Sequence, residues 1–237
     1  VINSIAVTNP KAADGGQAGD TTEELRQNSM MQMAAQQRSV TLDDYMVRAM
    51  SMPSDFGTVA KAYIEKPSLT DDQISTIETL NLFILSQNQQ GQFALPTEAL
   101  NKNLRTYLSQ NRIIGDNVKI RSGFIINISL DFEIVVLPNY NNSDVILSCI
   151  TSLQNYFQRD KWQFNQPIMV RDLYVMLDRI TGVQSVKDIT ILNQSGLSSG
   201  YSQYSYDISA ATQNQVIYPS LDPSIFEVKY PNTDIKG

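Results

Sequence analysis

The segment between Phe124 and Val136 limits the possible folds more than any other part of the chain. Ile126, Ile128, Leu130, Phe132, Ile134 and Val136 alternate with Asn127, Ser129, Asp131 and Glu133. Successive side chains in a strand point to opposite faces, so this pattern predicts one long half-buried antiparallel strand with a polar outer face. A strand of that kind needs a sheet beside it and something apolar on its inner face. Helical patterns supply the cover. Thr41 reads as an N-cap, with Asp43 and Asp44 in the first turn and Tyr45, Ala49 and Met52 at helical spacing before Pro53. Thr97 caps a second helix with the stripe Leu100, Leu104, Tyr107 and Leu108, followed by Gly115. Ser143 opens a third that buries Ile146, Cys149 or Ile150, Leu153 and Phe157. A fourth covers about Met169 to Ile180, stops at Gly182 and feeds a strand from Val183 to Leu192. Val59–Glu65 and Thr79–Ser86 read as further strands, separated by the polar stretch Pro67–Ser75.

This order of elements predicts an α+β fold with an antiparallel or mixed sheet and helices packed on one face. The flanks differ from this centre. Residues 1–40 read as a linker and an N-terminal helix starting near Thr22, residues 41–192 as the α+β core domain, and residues 193–237 as a loop and an extended C-terminal interaction arm. The chain begins at Val1, so it is expected to be a piece of a longer polypeptide. Asn193–Tyr206 is rich in Ser, Gly, Gln and Tyr, and Val216–Gly237 mixes β-formers with Pro219, Pro223 and Pro231. Such segments lack the large side chains for a core of their own and are expected to pair at an edge or dock on a neighbour.

The composition narrows the chemistry. There is no histidine and one cysteine, Cys149, so the commonest general base, an internal disulfide and any multi-cysteine metal site are all excluded. The lone thiol falls in a helical apolar stripe and reads as a buried structural group. The formal charge is -6, with the lysines and arginines scattered, so neither a nucleic-acid groove nor a membrane surface is expected as partner. Glycine pairs such as Gly15-Gly16 lack the spacing and strand context of phosphate-binding loops. Asn-x-Ser matches at Asn127, Asn141 and Asn193 are discounted as glycosylation sites, Asn127 being mid-strand. The expectation is therefore no cofactor, no metal and no catalytic residue. Asp131 and Glu133 are the least implausible carboxylates for the runner-up reading, a cell-wall or glycan hydrolase module. Trp162 is the one aromatic available to a glycan-binding module, although capping the end of the Ser143 helix suits it better.

Three stretches carry a family resemblance. EELRQNSMMQMAAQQRSVTLDDYMVRAMSMPSDFGTVAKAYI, from Glu23 to Ile64, contains Glu24, Leu25 and Arg26, then Arg38, Val40, Thr41, Asp44 and Tyr45. DLYVMLDRITGVQSVKDITI runs from Asp172 to Ile191, and the chain ends VIYPSLDPSIFEVKYPNTDIKG. Together they resemble the baseplate J-like family of contractile-tailed phages. That resemblance implies a structural, non-catalytic component of the tail baseplate wedge in the virion, assembled in the host cytoplasm. It implies a homo-oligomer whose dimer contacts build the inner baseplate ring, and contacts with other baseplate wedge proteins. Tyr201, Tyr204, Ile217, Tyr218, Ile225, Phe226 and Tyr230 are the expected interface residues, because aromatic and branched side chains give the largest desolvation gain at a contact.

Overall fold

The computed structural model describes Thr22, Arg26 and residues 39–66, 79–112 and 116–237. The chain divides into two compact units, Val1–Ile120 and Arg121–Gly237. The division falls inside the 41–192 span read above as one core, and residues 193–237 belong to the second unit. Thr22 and Arg26 are helical. The rest of the expected N-terminal helix, the Pro67–Ser75 connection and Gly115 lie outside the described residues.

In the first unit, helix α1 (Leu42–Met50) starts at the predicted cap. The Thr41 hydroxyl accepts from the Asp44 amide, while the Asp44 carboxylate accepts from the Val40 and Thr41 amides at 2.9 and 2.8 Å. These bonds, the Thr41 amide foremost, hold the Asp44 carboxyl below its ordinary pKa. The capped helix packs on β1 (Lys61–Glu65). That strand pairs antiparallel with β2 (Thr79–Gln87), which pairs in turn with β3 (Phe93–Ala94) and β4 (Asn117–Ser122). Helix α2 (Glu98–Ser109) is capped by Thr97 as predicted and buries Leu100, Leu104 and Leu108. Its stripe joins Tyr45, Ala49, Met52, Ile64, Leu80, Leu82 and Ile84 in one apolar cluster. Gly57 sits at φ +110, where any other residue is strained, and a Cβ there would lie 2.7 Å from Leu100 Cδ1, so a substitution would also have to shift the Leu100 side chain.

The second unit is built around β5 (Phe124–Val136), with the predicted bounds. One side pairs antiparallel with β7 (Val183–Gln194), and the other pairs parallel with β10 (Ser224–Glu227) and β11 (Ile235–Lys236). Helix α3 (Asn142–Tyr156) packs on β11 and on α4 (Val170–Asp178), and α4 packs on β7. A short three-stranded sheet joins β6 (Ile168–Met169), β8 (Thr212–Gln213) and β9 (Val216–Ile217). Two one-turn helices, α5 (Ile208–Ala211) and α6 (Pro231–Asp234), complete the unit. The class is α+β with antiparallel and mixed sheets, as the alternation and helix stripes require.

The structure corrects two expectations. The cap of α3 is Asn141, whose side chain accepts from the Ser143 amide, so the helix starts earlier, and Val145 is buried in its first turns where Ile146 was expected; of Cys149 and Ile150 it is Cys149 that is buried, and Leu153 and Phe157 are buried as expected. Burial pushes the Cys149 thiol pKa up. The alternation of β5 governs exposure only beyond Leu130. Asp131 and Glu133 are exposed, but Asn127 and Ser129 are buried because later segments cover them. The C-terminal segment pairs with β5 inside the unit: all four residues of β10 are buried, paired Ile225 to Ile125 and Phe226 to Ile126. Trp162 takes the expected place at the end of α3: it is buried, stacks on Phe157 at 5.3 Å, donates to the Tyr156 carbonyl and offers no open face to a sugar.

Candidate functional site

The polar groups of the second unit converge where the 193–206 segment and the C-terminal segment meet the first half of β5. Placing Glu227 beside Asn127 is a consequence of the parallel register. The Asn127 amide donates to Glu227 Oε2 at 2.9 Å, and its carbonyl oxygen accepts from the Ser202 amide at 2.8 Å. Arg159 Nε donates to Glu227 Oε1 at 2.7 Å, and its Nη2 donates to the Lys229 carbonyl. The Ser202 hydroxyl donates to the Ile125 carbonyl, Asn193 Nδ2 to the Asn127 carbonyl, and Gln194 Nε2 to the Ser129 hydroxyl. A carboxylate buried to this extent is tolerable only when both oxygens are bonded and a cation faces it.

A second set of bonds ties the chain end to the same segment. Tyr201 donates its hydroxyl to Asp234 Oδ1 at 2.6 Å, while Asp234 Oδ2 accepts from the Tyr230 amide at 2.8 Å. The Tyr201 and Tyr230 rings meet edge to face at 5.5 Å. Lys229 Nζ donates to the Gly200 carbonyl, and Gly200, at φ +79, lets Tyr230 Oη approach to 2.7 Å from where a Cβ would stand. Burial, then the hydrogen bond and charge of Asp234, push the Tyr201 phenol pKa up to about 12. Tyr204 shares a hydrogen bond with Ser220, Tyr206 donates to the Tyr218 carbonyl at 2.7 Å, and the two rings stack at 6.4 Å. Burial raises the Tyr206 phenol pKa as well.

These bonds sort the expected interface residues. Ile217, Ile225 and Phe226 are buried inside the unit, so their desolvation gain is used in folding and they are not available as anchors for a neighbour. Tyr201 and Tyr204 are half-buried, with both hydroxyls bonded inside the unit. Tyr218 and Tyr230 remain exposed on the surface of the C-terminal segment. Leu221, in the turn before β10 and not singled out by the sequence, is fully exposed at 104 %. Glu227, Arg159 and Asp234 were also missed. The bonds of Glu227 to Asn127 and Arg159, and of Asp234 to Tyr201, span 33 to 100 residues of chain, and no local pattern announces a buried charge. Of the carboxylates considered for hydrolysis, Glu133 is exposed and paired with Lys187 at 2.6 Å. That hydrogen bond raises the Lys187 pKa. Asp131 is exposed on the same strand. Among the described residues no group of three or more His, Cys, Asp or Glu side chains is placed to hold a metal ion, and no helix is long and apolar enough to cross a membrane.

The arrangement defines an α+β protein whose second unit is closed by its own C-terminal segment through buried polar bonds. No protein-family model and no curated protein matches the chain. One similar solved structure is the cryo-electron microscopy structure of the anti-feeding prophage (AFP) baseplate, 6-fold symmetrised, with a TM-score of 0.46 and 13 % identity. The match covers 73 % of this chain and 38 % of that one, so this chain spans well under half of the protein it matches. A likeness of this size carries no argument about function.

Proposed function

We propose that this chain is a structural component of the tail baseplate wedge of a contractile-tailed phage, corresponding to the carboxyl-terminal part of the large inner baseplate wedge protein of T-even-like phages. It works through surfaces: self-association through dimer contacts that build the inner ring, and contacts with other wedge proteins in the virion. The observation that carries this reading is the behaviour of the Asp172–Ile191 motif. The resemblance implies a helix, a Gly-Val turn and a strand, and these residues form α4, a turn with Gly182 at φ +99, and β7. The first motif supports it in the same way, since Thr41, Asp44 and Tyr45 open α1, which leads to β1. The Glu227 and Asp234 bonds fix the C-terminal segment within the second unit, which suits a part that carries load between neighbours.

Tyr218, Leu221 and Tyr230 are the contact residues this reading assigns to the second unit, because they are the exposed apolar groups of the C-terminal segment. The test is imaging of purified phage particles carrying a small tag on this chain. Tag density in an inner ring of the baseplate supports the proposal; density confined to the fibres or the capsid overturns it. A peptidoglycan-degradation assay on the purified chain adds a second check, since turnover abolished by Glu133→Gln without loss of assembly removes the structural reading.

A further inference from the structure

A cavity of about 560 Å³ opens in the first unit between the outer face of α2 and β4. Its lining brings together Arg105, Arg112 and Lys119, with no carboxylate among the described lining residues. Among the described residues none of these three makes an ion pair. The chain as a whole is acidic, at -6, so the cavity is a local reversal of the protein's field. Arg112 is braced: its Nη1 donates to the Asp116 carbonyl at 3.1 Å, which leaves the remaining guanidinium donors for a ligand. The Asp116 carboxylate is engaged elsewhere, accepting from the Tyr45 hydroxyl at 2.7 Å. The lining hydroxyls of Thr106 and Ser109 donate back to the Lys102 and Thr106 carbonyls of their own helix. The cationic side chains are therefore the charged donors on offer, beside the neutral Thr79 and Asn117. Leu108, Val118 and Ile120 supply an apolar base to the same cavity.

We infer that this cavity binds a carboxylate-rich peptide segment of a partner protein, its acidic side chains on Arg105, Arg112 and Lys119 and an apolar side chain on Leu108, Val118 and Ile120. Guanidinium forks match carboxylates bidentately, and like charges gathered with no carboxylate among the described lining residues are relieved when an acidic segment arrives. Size favours a peptide over a single small anion, since specific sites of several hundred cubic ångströms take ligands of many atoms. Single-stranded nucleic acid is disfavoured because the described lining residues include no aromatic ring on which a base could stack. The inference stands apart from the baseplate reading, because it rests on the first unit alone.

The experiment measures fluorescence anisotropy of a labelled peptide of mixed aspartate and glutamate around one central leucine, titrated with the full chain at low salt. The expected result is saturable binding that weakens as salt rises, and that falls about tenfold or more in the charge reversal R105E/K119E. Lys102→Glu, on the same helix but outside the lining, is expected to leave the affinity unchanged. Should R105E/K119E fail to unfold cooperatively like the parent, the neutral pair R105Q/K119Q gives the same readout. No saturable binding at low salt overturns the inference, and so does equal affinity in a folded R105E/K119E or R105Q/K119Q. Displacement of the peptide by equimolar citrate or inorganic phosphate assigns the cavity to small anions and also overturns it. Tighter binding of a single-stranded RNA of matched charge does the same.

Discussion

The two units achieve closure by different means. In the first, helices α1 and α2 lay periodic apolar stripes on a sheet whose central strand, β2, is buried from Leu80 to Ser86. Its polar bonds lie at helix starts, where Thr41, Asp44 and Thr97 satisfy amides that every helix leaves unpaired, and in turns such as that of residues 88–92, and no carboxylate among its described residues is buried. In the second, an apolar strand pair is completed by a C-terminal segment held through an interior carboxylate, Glu227, and a nearly buried one, Asp234. Apolar burial is non-directional and tolerates some repacking. A buried carboxylate tolerates very little, because each bond removed leaves a charged group that water cannot reach. The second unit is therefore more specifically determined in its last turns of chain, and more easily damaged there.

The largest expected effects test the shared apolar basis of both units. Phe226→Ala and Leu104→Ala are each expected to lower stability by about 3 to 4 kcal/mol in denaturant melts, since each empties a fully buried site. A much smaller loss for Phe226→Ala would mean that the C-terminal segment is not part of the cooperative core. Next comes the feature that separates the units. Glu227→Ala strands Arg159 and the Asn127 amide and is expected to cost about 3 kcal/mol, whereas the paired change R159M/E227L is expected to recover most of it. Equal losses in the single and paired variants would remove the buried charge from the explanation. Thr41→Ala, by contrast, should cost about 1 kcal/mol, the usual worth of a helix cap, read from the same melts.

The smallest effect is in pH dependence and belongs to the second unit. The Tyr201 phenol pKa is raised to about 12 in the folded chain, from an ordinary value of 10.0. A raised folded value means that the neutral phenol is favoured by folding, so its contribution is complete below about pH 10 and is lost as pH climbs towards 12. Unfolding followed across that window should show a decline that Tyr201→Phe reduces. An identical decline in Tyr201→Phe would assign the pH dependence to other groups.

Much of the fold was legible in local patterns. Thr41 and Thr97 were read as caps from their position before apolar stripes, and both cap; Phe124–Val136 was read as one strand and is one. These features depend on residues a few positions apart, where helix and strand geometry alone decides which side chains meet. The reading failed where the outcome depends on distant chain. Nothing in the local pattern of Asn127 distinguishes a solvated strand residue from one bonded to Glu227. In the same way, the β-forming tail could have paired with a neighbouring molecule as readily as with β5.

What the amino-acid order settled by itself was the kind of elements, their caps and stops, the absence of histidine chemistry and the acidic overall charge. What only the tertiary structure decided was which polar groups lie inside. It placed Ile225 and Phe226 in the sheet while leaving Tyr218 and Tyr230 at the surface, and it gathered Arg105, Arg112 and Lys119 around one cavity. The physical reason is range: backbone geometry and capping act over a turn or two of chain, whereas burial and charge proximity are set by which surfaces meet once the chain has closed.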